Sequence, residues 1–345
     1  MRRRSILAMT LCLGLASMAN AAKLNVGDQA PGLDIESWVK GEEVNFEEGQ
    51  AYVVEFWATW CGPCKRSIPH LTELQEIFAD DGLTIIGISS GEKERTVESF
   101  VKQQGRKMNY TVAWDRRSAT QQAWMQAAGM NGIPAAFIVD QRGRIQWMGN
   151  PLDPEFVEVL PQVVGGRYDA RLMKEARPMV RAAENARKVG NWSLAHKHYD
   201  ELIELDQTIF ANYAIEKFGM MLNEQKKSED AYGYAKKLAA DFSGDQQLLA
   251  DLSRFIAEDD SIDDADRRFD VAIDLAKRAA RQTDRNDPDA YEIQALVHYR
   301  SGDLDQAIRM QKKAWMVASP KRKAEFRKTL KAYQDARNRA TASRG

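Results

Sequence analysis

Two cysteines, Cys61 and Cys64, have the spacing that thiol-disulfide exchange requires, because they flank Gly62 and Pro63 in a C-G-P-C turn. Segment 52–67 reads YVVEFWATWCGPCKRS, which predicts an apolar strand, the turn and then a helix. The unpaired amide hydrogens and the dipole at a helix N-terminus favour a thiolate over a thiol. We therefore expect Cys61 to be the attacking sulfur and Cys64, one turn further along, to resolve the mixed disulfide.

The other chemistry open to a C-x-x-C pair is half of a zinc site. Zinc needs about four ligands. The sequence has no second C-x-x-C, and His196 and His198 are two residues apart, so they do not share a helix face. We expect no metal and no cofactor other than the redox-active disulfide itself.

The first 21 residues form a segment of their own. Three arginines open it, an apolar run follows over 6–18, and an A-N-A tripeptide of the kind that precedes a cleavage site ends it. This pattern predicts a signal peptide over 1–21 and a periplasmic or otherwise extracytoplasmic protein; an uncleaved anchor is the alternative. The third cysteine, Cys12, would leave with the signal peptide, so every remaining thiol would belong to the C-G-P-C turn.

The composition excludes several classes of partner. Hydrophobic residues make up 44% and charged residues 29% of the chain, as in soluble globular proteins. The 49 basic and 50 acidic residues nearly balance, and no basic stripe indicates a nucleic-acid partner. Beyond the first segment no apolar stretch is long enough to span a bilayer, so we expect no stable membrane insertion after cleavage.

Strand and helix signals alternate over 22–166, which predicts an α/β domain with parallel crossovers and an antiparallel final hairpin. A short hairpin formed by 34–38 and 44–46 is expected ahead of it. The predicted strands are 52–57, 83–89, 110–114, 135–140 and 144–148, and the predicted helices are 63–79, 96–104, 119–128 and 153–163.

The stretch EFWATWCGPC, the proline at Pro69, and Gly132-Ile133-Pro134 followed by AAFIVDQRGRI resemble the thioredoxin fold. The expected opening hairpin and an extra helix between strands make the domain most similar to the extracytoplasmic TlpA/ResA-like branch. The resemblance covers the whole first domain. It implies that Cys61 is the nucleophile of a thiol-disulfide oxidoreductase.

The same resemblance assigns roles to other residues. Pro134 would be a cis-proline lying against the disulfide, and the Ile133 peptide would offer backbone hydrogen bonds to an incoming chain; an ordinary trans-proline turn is the alternative. Glu55 takes the position of the buried acid beneath the site, where desolvation would raise its pKa and let it accept the proton of Cys64. A Glu55 side chain turned to solvent is the alternative.

Trp60 flanks the first cysteine and would shield its sulfur while offering a flat apolar contact. Together with Gly62 and Pro63 of the turn, it would contact the substrate. Peroxiredoxins resemble this fold but carry P-x-x-x-T/S-x-x-C, and here the residue seven before Cys61 is Val54 rather than proline. A peroxidase is therefore disfavoured.

Strand signals vanish over 167–345, where helix-length blocks follow one another. Blocks 190–206 and 302–320 share a glycine, an apolar residue two later and an alanine five later, which resembles the tetratricopeptide helix pair. We expect about four helical hairpins and a solvent-facing final helix over 321–339; a plain helical bundle is the alternative. A stacked helical array would present a surface for peptides or partner proteins.

These expectations give two hypotheses. The first is an exported thiol-disulfide oxidoreductase that works as a protein disulfide reductase. Its substrates would be protein disulfides, and its reductant would be a membrane thiol-electron carrier. Its helical domain would recruit protein partners. The second is an extracytoplasmic scaffold or assembly protein, whose helical array is the main functional part while the redox domain docks or senses.

Overall fold

The structure is a computed structural model that describes residues 23–282 and 287–342. The predicted signal peptide over 1–21, together with Cys12, lies outside the described residues. The chain divides into two compact units between Arg171 and Leu172. This division lies a few residues beyond the boundary after residue 166 that the sequence suggests.

The first unit is an α/β domain built on a six-stranded mixed sheet. Its strands are β1 (Ser37–Lys40), β2 (Ala51–Trp57), β3 (Leu83–Ser90), β4 (Thr111–Asp115), β5 (Ala135–Val139) and β6 (Ile145–Gly149). Its helices are α1 (Cys64–Phe78), α2 (Glu94–Gln104), α3 (Ala119–Gln121) and α4 (Pro154–Val164). Strands β2, β3 and β4 are parallel, and β1, β5 and β6 join antiparallel in the order β1-β4-β3-β2-β5-β6. The predicted thioredoxin-like fold, with its antiparallel final hairpin, is confirmed.

Strand β2 is buried on both faces, and its side chains alternate between two cores. Val53 and Trp57 lie in the core that α1, α2 and α4 cover, whereas Val54 and Phe56 lie in the core on the opposite face. Side chains two residues apart in a strand point the same way. The strand therefore places Glu55 on the face that α1 covers.

Helix α1 begins at Cys64, directly after Pro63, and no side chain caps its N-terminus. One face of the helix is buried at helical spacing, namely at Cys64, Ser67, Ile68, Leu71, Thr72 and Leu74. The amide hydrogens in the first turn of a helix point back toward the residues that precede the helix. The position of the second cysteine in the core thus follows from the periodicity of the helix.

The predicted opening hairpin is wrong. A single strand, β1, forms there and pairs antiparallel with β4, while residues 44–46 are not in a strand. Phe46 instead packs its ring against Tyr52 and Trp124, with ring centroids 4.9 and 5.9 Å apart. The apolar pattern there serves core packing rather than a hydrogen-bonded ladder.

The third predicted helix, 119–128, is also different in detail. It is α-helical only over Ala119–Gln121 and continues as a π-helical turn over Gln122–Gln126. The amide of Ala127 donates to the carbonyl of Gln122, which is the five-residue spacing of a π-helix. This widened turn buries Trp124 in the core.

The described part of the second unit is helical, as predicted. Its helices are α5 (Ala170–Lys188, which begins just before the division), α6 (Trp192–Leu205), α7 (Asn212–Gly219, followed by a π-helical turn at Met220–Glu224), α8 (Ser228–Asp241), α9 (Gln246–Glu258), α10 (Phe269–Gln282), α11 (Pro288–Arg300), α12 (Leu304–Val317) and α13 (Lys323–Ala342). Helices α5 to α12 follow one another as four consecutive pairs, and α13 ends the series.

Small residues and polar caps explain how this series forms. Ala195 and Ala307, the alanines of the two repeated blocks, are fully buried, which lets neighbouring helices approach closely. The side chains of Asn191, Asp245 and Asp303 each accept a hydrogen bond from a backbone amide in the first turn of α6, α9 and α12. Helix starts are therefore set locally and helix packing by small side chains.

The final helix is mostly exposed, as predicted, but two of its aromatic residues are buried. Phe326 and Tyr333 of α13 are buried. The ring of Tyr333 stacks on Tyr299 of α11 with centroids 4.4 Å apart. The sequence of α13 is rich in basic residues, which makes its two buried aromatic rings easy to overlook. These two rings anchor the helix.

Candidate redox site

The two cysteines of the C-G-P-C turn are joined by a disulfide. Strand β2 ends at Trp57, and the loop that follows leads into α1 at Cys64. Both cysteines are buried: Cys61 is 3% exposed and Cys64 is 0% exposed. The second sulfur is therefore the more enclosed one, as the sequence predicts, and the first is also largely covered.

The backbone at the start of α1 is directed at the first sulfur. The amide of Cys64 donates to Cys61 Sγ at 3.1 Å. The amides of Lys65, Arg66 and Ser67 donate to backbone carbonyls, so the sulfur is stabilised by the Cys64 amide and by the positive end of the helix dipole. When the disulfide is reduced, this arrangement stabilises negative charge on Cys61.

The predicted cis-proline is present, since the Ile133–Pro134 peptide bond is cis. Pro134 is buried immediately before β5, and Ile133 is half-buried. The carbonyl oxygen of Ile133 lies 3.7 Å from Cys61 Sγ. The structure thus brings the 133–134 peptide and the first cysteine together.

The remaining predicted contact residues lie at the surface. Trp60 is 72% exposed, and it is the one aromatic residue among the exposed large apolar side chains of the described residues. Gly62 and Pro63 are exposed as well. A flat apolar ring and a proline therefore border the covered sulfur.

Glu55 is fully buried, so the alternative of a side chain turned to solvent is excluded. Desolvation raises its pKa to about 7, against the opposing effect of two hydrogen bonds. Ser67 Oγ donates to Glu55 Oε1 at 2.6 Å, and the Tyr110 hydroxyl lies 3.3 Å from Glu55 Oε2. Burial also raises the pKa of Tyr110, which stays a neutral donor.

Sequence reasoning missed both partners of Glu55. Ser67 follows Cys64 by three residues, so its place on the buried face of α1 could have been found from helical spacing. Tyr110 reaches the acid only because β3 carries Gly87, where an added Cβ would lie 2.8 Å from the Tyr110 ring. No local sequence signal connects Tyr110 to Glu55.

A third missed residue is Glu92, which holds the loop before the cysteines. Its carboxylate accepts hydrogen bonds from the backbone amide of Thr59, from the Thr59 hydroxyl and from the Ser89 hydroxyl. Thr59 immediately precedes Trp60. Glu92 therefore fixes the backbone from which the exposed tryptophan projects.

Across residues 23–282 and 287–342, no group of three or more His, Cys, Asp or Glu side chains is arranged to hold a metal ion. Over the same residues, no helix combines the length and the apolar character needed to cross a membrane.

Residues 26–148 match the AhpC/TSA family. This segment of the chain is similar to that family. It contains the whole site described above, from Glu55 to Pro134, and the unit that carries it is a thioredoxin-like thiol-disulfide oxidoreductase domain.

Two relatives found by sequence, ResA and FixW, support this assignment. Thiol-disulfide oxidoreductase ResA of Geobacillus thermodenitrificans is 29% identical over 152 residues, which cover 42% of this chain and 83% of that protein. Protein FixW of Rhizobium leguminosarum is 28% identical over 208 residues, covering 54% of this chain and 93% of that protein. A crystal structure from Chlorobium tepidum, described as a putative thiol:disulfide interchange protein DsbE, is 25% identical, covers 41% of this chain and 97% of its own, and has a TM-score of 0.36.

The raised pKa of Glu55 predicts a stability effect in the oxidised protein. The folded-state pKa of about 7 exceeds the ordinary value of 4.5, so the folded protein keeps a proton that the unfolded chain releases in this range. The free energy of unfolding should therefore fall as pH rises from 4.5 to 7, by about 3 kcal/mol from this group. Glu55→Gln is neutral throughout and should lack this component in urea unfolding measured across the range.

The matched control is Glu73→Gln, which changes an exposed carboxylate on α1. It should keep the wild-type dependence on pH. If Glu55→Gln also keeps that dependence, Glu55 is not the buried acid described here.

Proposed function

We propose that this protein is an extracytoplasmic protein disulfide reductase, whose helical unit recruits or orients protein partners. The observation that carries the proposal is the disulfide at the start of α1, with the Cys64 amide directed at Cys61 Sγ. A buried acid on the neighbouring strand and a cis-proline peptide beside the sulfur complete the site.

The reaction begins from the reduced dithiol. The Cys61 thiolate attacks one sulfur of a substrate disulfide, a Cys61–substrate disulfide forms, and the other substrate sulfur leaves as a thiolate. The Cys64 thiolate then attacks the Cys61 sulfur, the intramolecular disulfide forms, and the second substrate thiolate leaves. Two electrons pass to the substrate, whose two thiolates take up protons.

Glu55 would supply the base for the second step. The Cys64 thiol must lose its proton before it can attack, and a carboxylate of pKa about 7 is half-charged near neutral pH. Burial keeps water from competing for that proton. The acid would return the proton when the disulfide is reduced again.

The exposed rim of the site would bind the substrate chain. Trp60 offers an apolar face, and Gly62 and Pro63 lie beside it at the surface. The backbone of Ile133, next to Pro134, would hydrogen-bond to an extended substrate segment. Backbone hydrogen bonds and one apolar face recognise shape more than sequence, so the substrates would be protein disulfides as a class.

The direction of electron flow and the location complete the proposal. Thioredoxin, a strong reductant, has a potential of about −270 mV, and the C-G-P-C turn resembles that end of the family. In an oxidising compartment such a site must be recharged with two electrons and two protons by a dithiol donor. We propose a membrane thiol-electron carrier in this role, with the predicted signal peptide over 1–21 directing export.

The helical unit would act through its surface. Its pairs of helices, with buried alanines at Ala195 and Ala307, are typical of tetratricopeptide-like arrays, which bind peptides and proteins. The chemistry itself would stay in the first unit. This division of labour separates the reductase from a scaffold, in which the helical unit alone would account for the function.

Replacing the resolving thiol should trap substrates. In Cys64→Ser the first step proceeds but the second cannot, so disulfide-linked adducts at Cys61 should accumulate in cells and disappear on reduction. Non-reducing gels followed by mass spectrometry of the adducts measure this. Cys61→Ser is the matched control and should trap nothing; adducts that are equally abundant in the control, or absent from Cys64→Ser, contradict the proposed reaction.

Deleting 172–345 should separate catalysis from recruitment. The shortened protein should still reduce a small aromatic disulfide at a rate dependent on Cys61, because the site lies in the first unit. Trapping of protein substrates by the shortened Cys64→Ser form should fall severalfold or more. Near-ultraviolet circular dichroism and the thermal unfolding midpoint check that the first unit keeps its fold.

Two outcomes oppose the proposal for the helical unit. Undiminished trapping of the same proteins would show that it does not recruit them. A full-length Cys61→Ser protein that supports the cellular phenotype normally would favour the scaffold hypothesis.

A further inference from the structure

The hydroxyl of Ser67 lies between the buried acid and the first turn of α1. Its oxygen is 2.6 Å from Glu55 Oε1 and 3.0 Å from the carbonyl oxygen of Cys64, and the residue is 0% exposed. No other side chain among the described residues is shown bonding both to Glu55 and to the backbone of a site cysteine. Ser67 is thus the direct polar link between the acid on β2 and the helix that carries the resolving thiol.

Hydrogen counting gives this link two states. A serine hydroxyl has one hydrogen and faces two acceptors here. While Glu55 is charged, the hydroxyl donates to the carboxylate. Once Glu55 has taken a proton, its own O–H can donate to Ser67 Oγ, and the serine hydrogen turns to the Cys64 carbonyl. Both protonation states of the acid are therefore satisfied without moving a heavy atom.

The surroundings of Glu55 offer no substitute for Ser67. From β3 the neighbouring residue in register is Gly87, and from β5 it is Ala136, neither of which carries a charge. From the segment before β4 comes the neutral Tyr110 hydroxyl, which lies at 3.3 Å from the other carboxyl oxygen. From α1 come Ser67 and, one turn earlier, the disulfide-bonded Cys64.

We propose that Ser67 is a positioning residue: it fixes the Glu55 carboxylate beneath the first turn of α1 and keeps it in the charged form that resolution of the mixed disulfide needs. This proposal rests on the proposed function, because it concerns the same exchange step. In the step itself, the Cys64 thiol gives its proton to Glu55, the Cys64 sulfur bonds to the Cys61 sulfur, and the substrate thiolate leaves. No other reductant or oxidant takes part.

A burial argument supports the direction of the effect. Desolvation raises the pKa of Glu55, and the hydrogen bond from Ser67 opposes it. Without the hydroxyl, the acid would stay protonated to higher pH and could not accept the Cys64 proton near neutrality. Resolution would then need a more alkaline medium, whereas the first attack by Cys61, which depends on the helix N-terminus, would be unaffected.

The experiment mixes reduced full-length protein with oxidised glutathione, stops the reaction with acid, and quantifies the two products by mass spectrometry. These are the Cys61–glutathione adduct and the Cys61–Cys64 disulfide. In Ser67→Ala the midpoint of the pH profile for resolution should rise by about one unit. The adduct should accumulate at pH 7, and its rate of formation should match that of the wild type. Ser67→Thr, which keeps the hydroxyl, should restore the wild-type midpoint.

Thr72→Ala is the matched control. It removes a buried hydroxyl of the same helix, one that bonds to Lys107 and Asn109 rather than to Glu55. It should lower stability without moving the midpoint. In a Glu55→Gln background, Ser67→Ala should likewise move nothing, because the acid it acts on is gone.

The outcomes separate the two proposals. An unchanged midpoint in Ser67→Ala, or an equal shift in Thr72→Ala, overturns the role of Ser67 while leaving the exchange reaction intact. If the wild-type protein forms no Cys61 adduct at any pH, the proposed function itself fails. Infrared titration of the protonated Glu55 carboxyl in the oxidised protein gives an independent check, and an unshifted titration in Ser67→Ala also overturns the proposal.

Discussion

The contact between the Cys61 sulfur and the amide hydrogen of Cys64, at the start of α1, is the interaction on which the whole site depends. It requires that the helix begin at Cys64 and that no side chain cap it, and both conditions hold. In a capped helix, a serine or aspartate oxygen would accept hydrogen bonds from amides of the first turn. Here the Cys64 amide is directed at a sulfur that must carry charge during exchange.

The second constraint is the burial of an acid in the middle of β2. A carboxyl group with neighbours on both sides of a sheet costs stability when charged, and the fold retains it beneath the disulfide. Ser67 and Tyr110 satisfy it only partly, which leaves its pKa near neutrality. Groups of this kind exchange protons near neutral pH, and the role proposed for Glu55 would use this property.

Much of this arrangement could be predicted because it is encoded locally. The C-G-P-C turn between a strand and a helix, the largely apolar run of β2 and the proline before β5 lie in short segments. The helical caps of the second unit are local as well. The contacts that the sequence did not predict are tertiary. Tyr110 contacts Glu55 only because Gly87 leaves space for its ring, and Glu92 contacts Thr59 across a loop. The wrong hairpin at 44–46 shows the same limit, since Phe46 there packs on Trp124, which is distant in the sequence.

The most direct measurement is the pH dependence of Cys61 alkylation in the reduced Cys64→Ser protein. Peptide mapping would separate Cys61 from Cys12. Because the thiolate is the reacting species, the midpoint of the rate profile reports the pKa of the thiol. The account predicts a midpoint clearly below about 8.5, the value of an ordinary cysteine. A midpoint at or above that value would show that the start of α1 does not activate the sulfur, and would contradict the account.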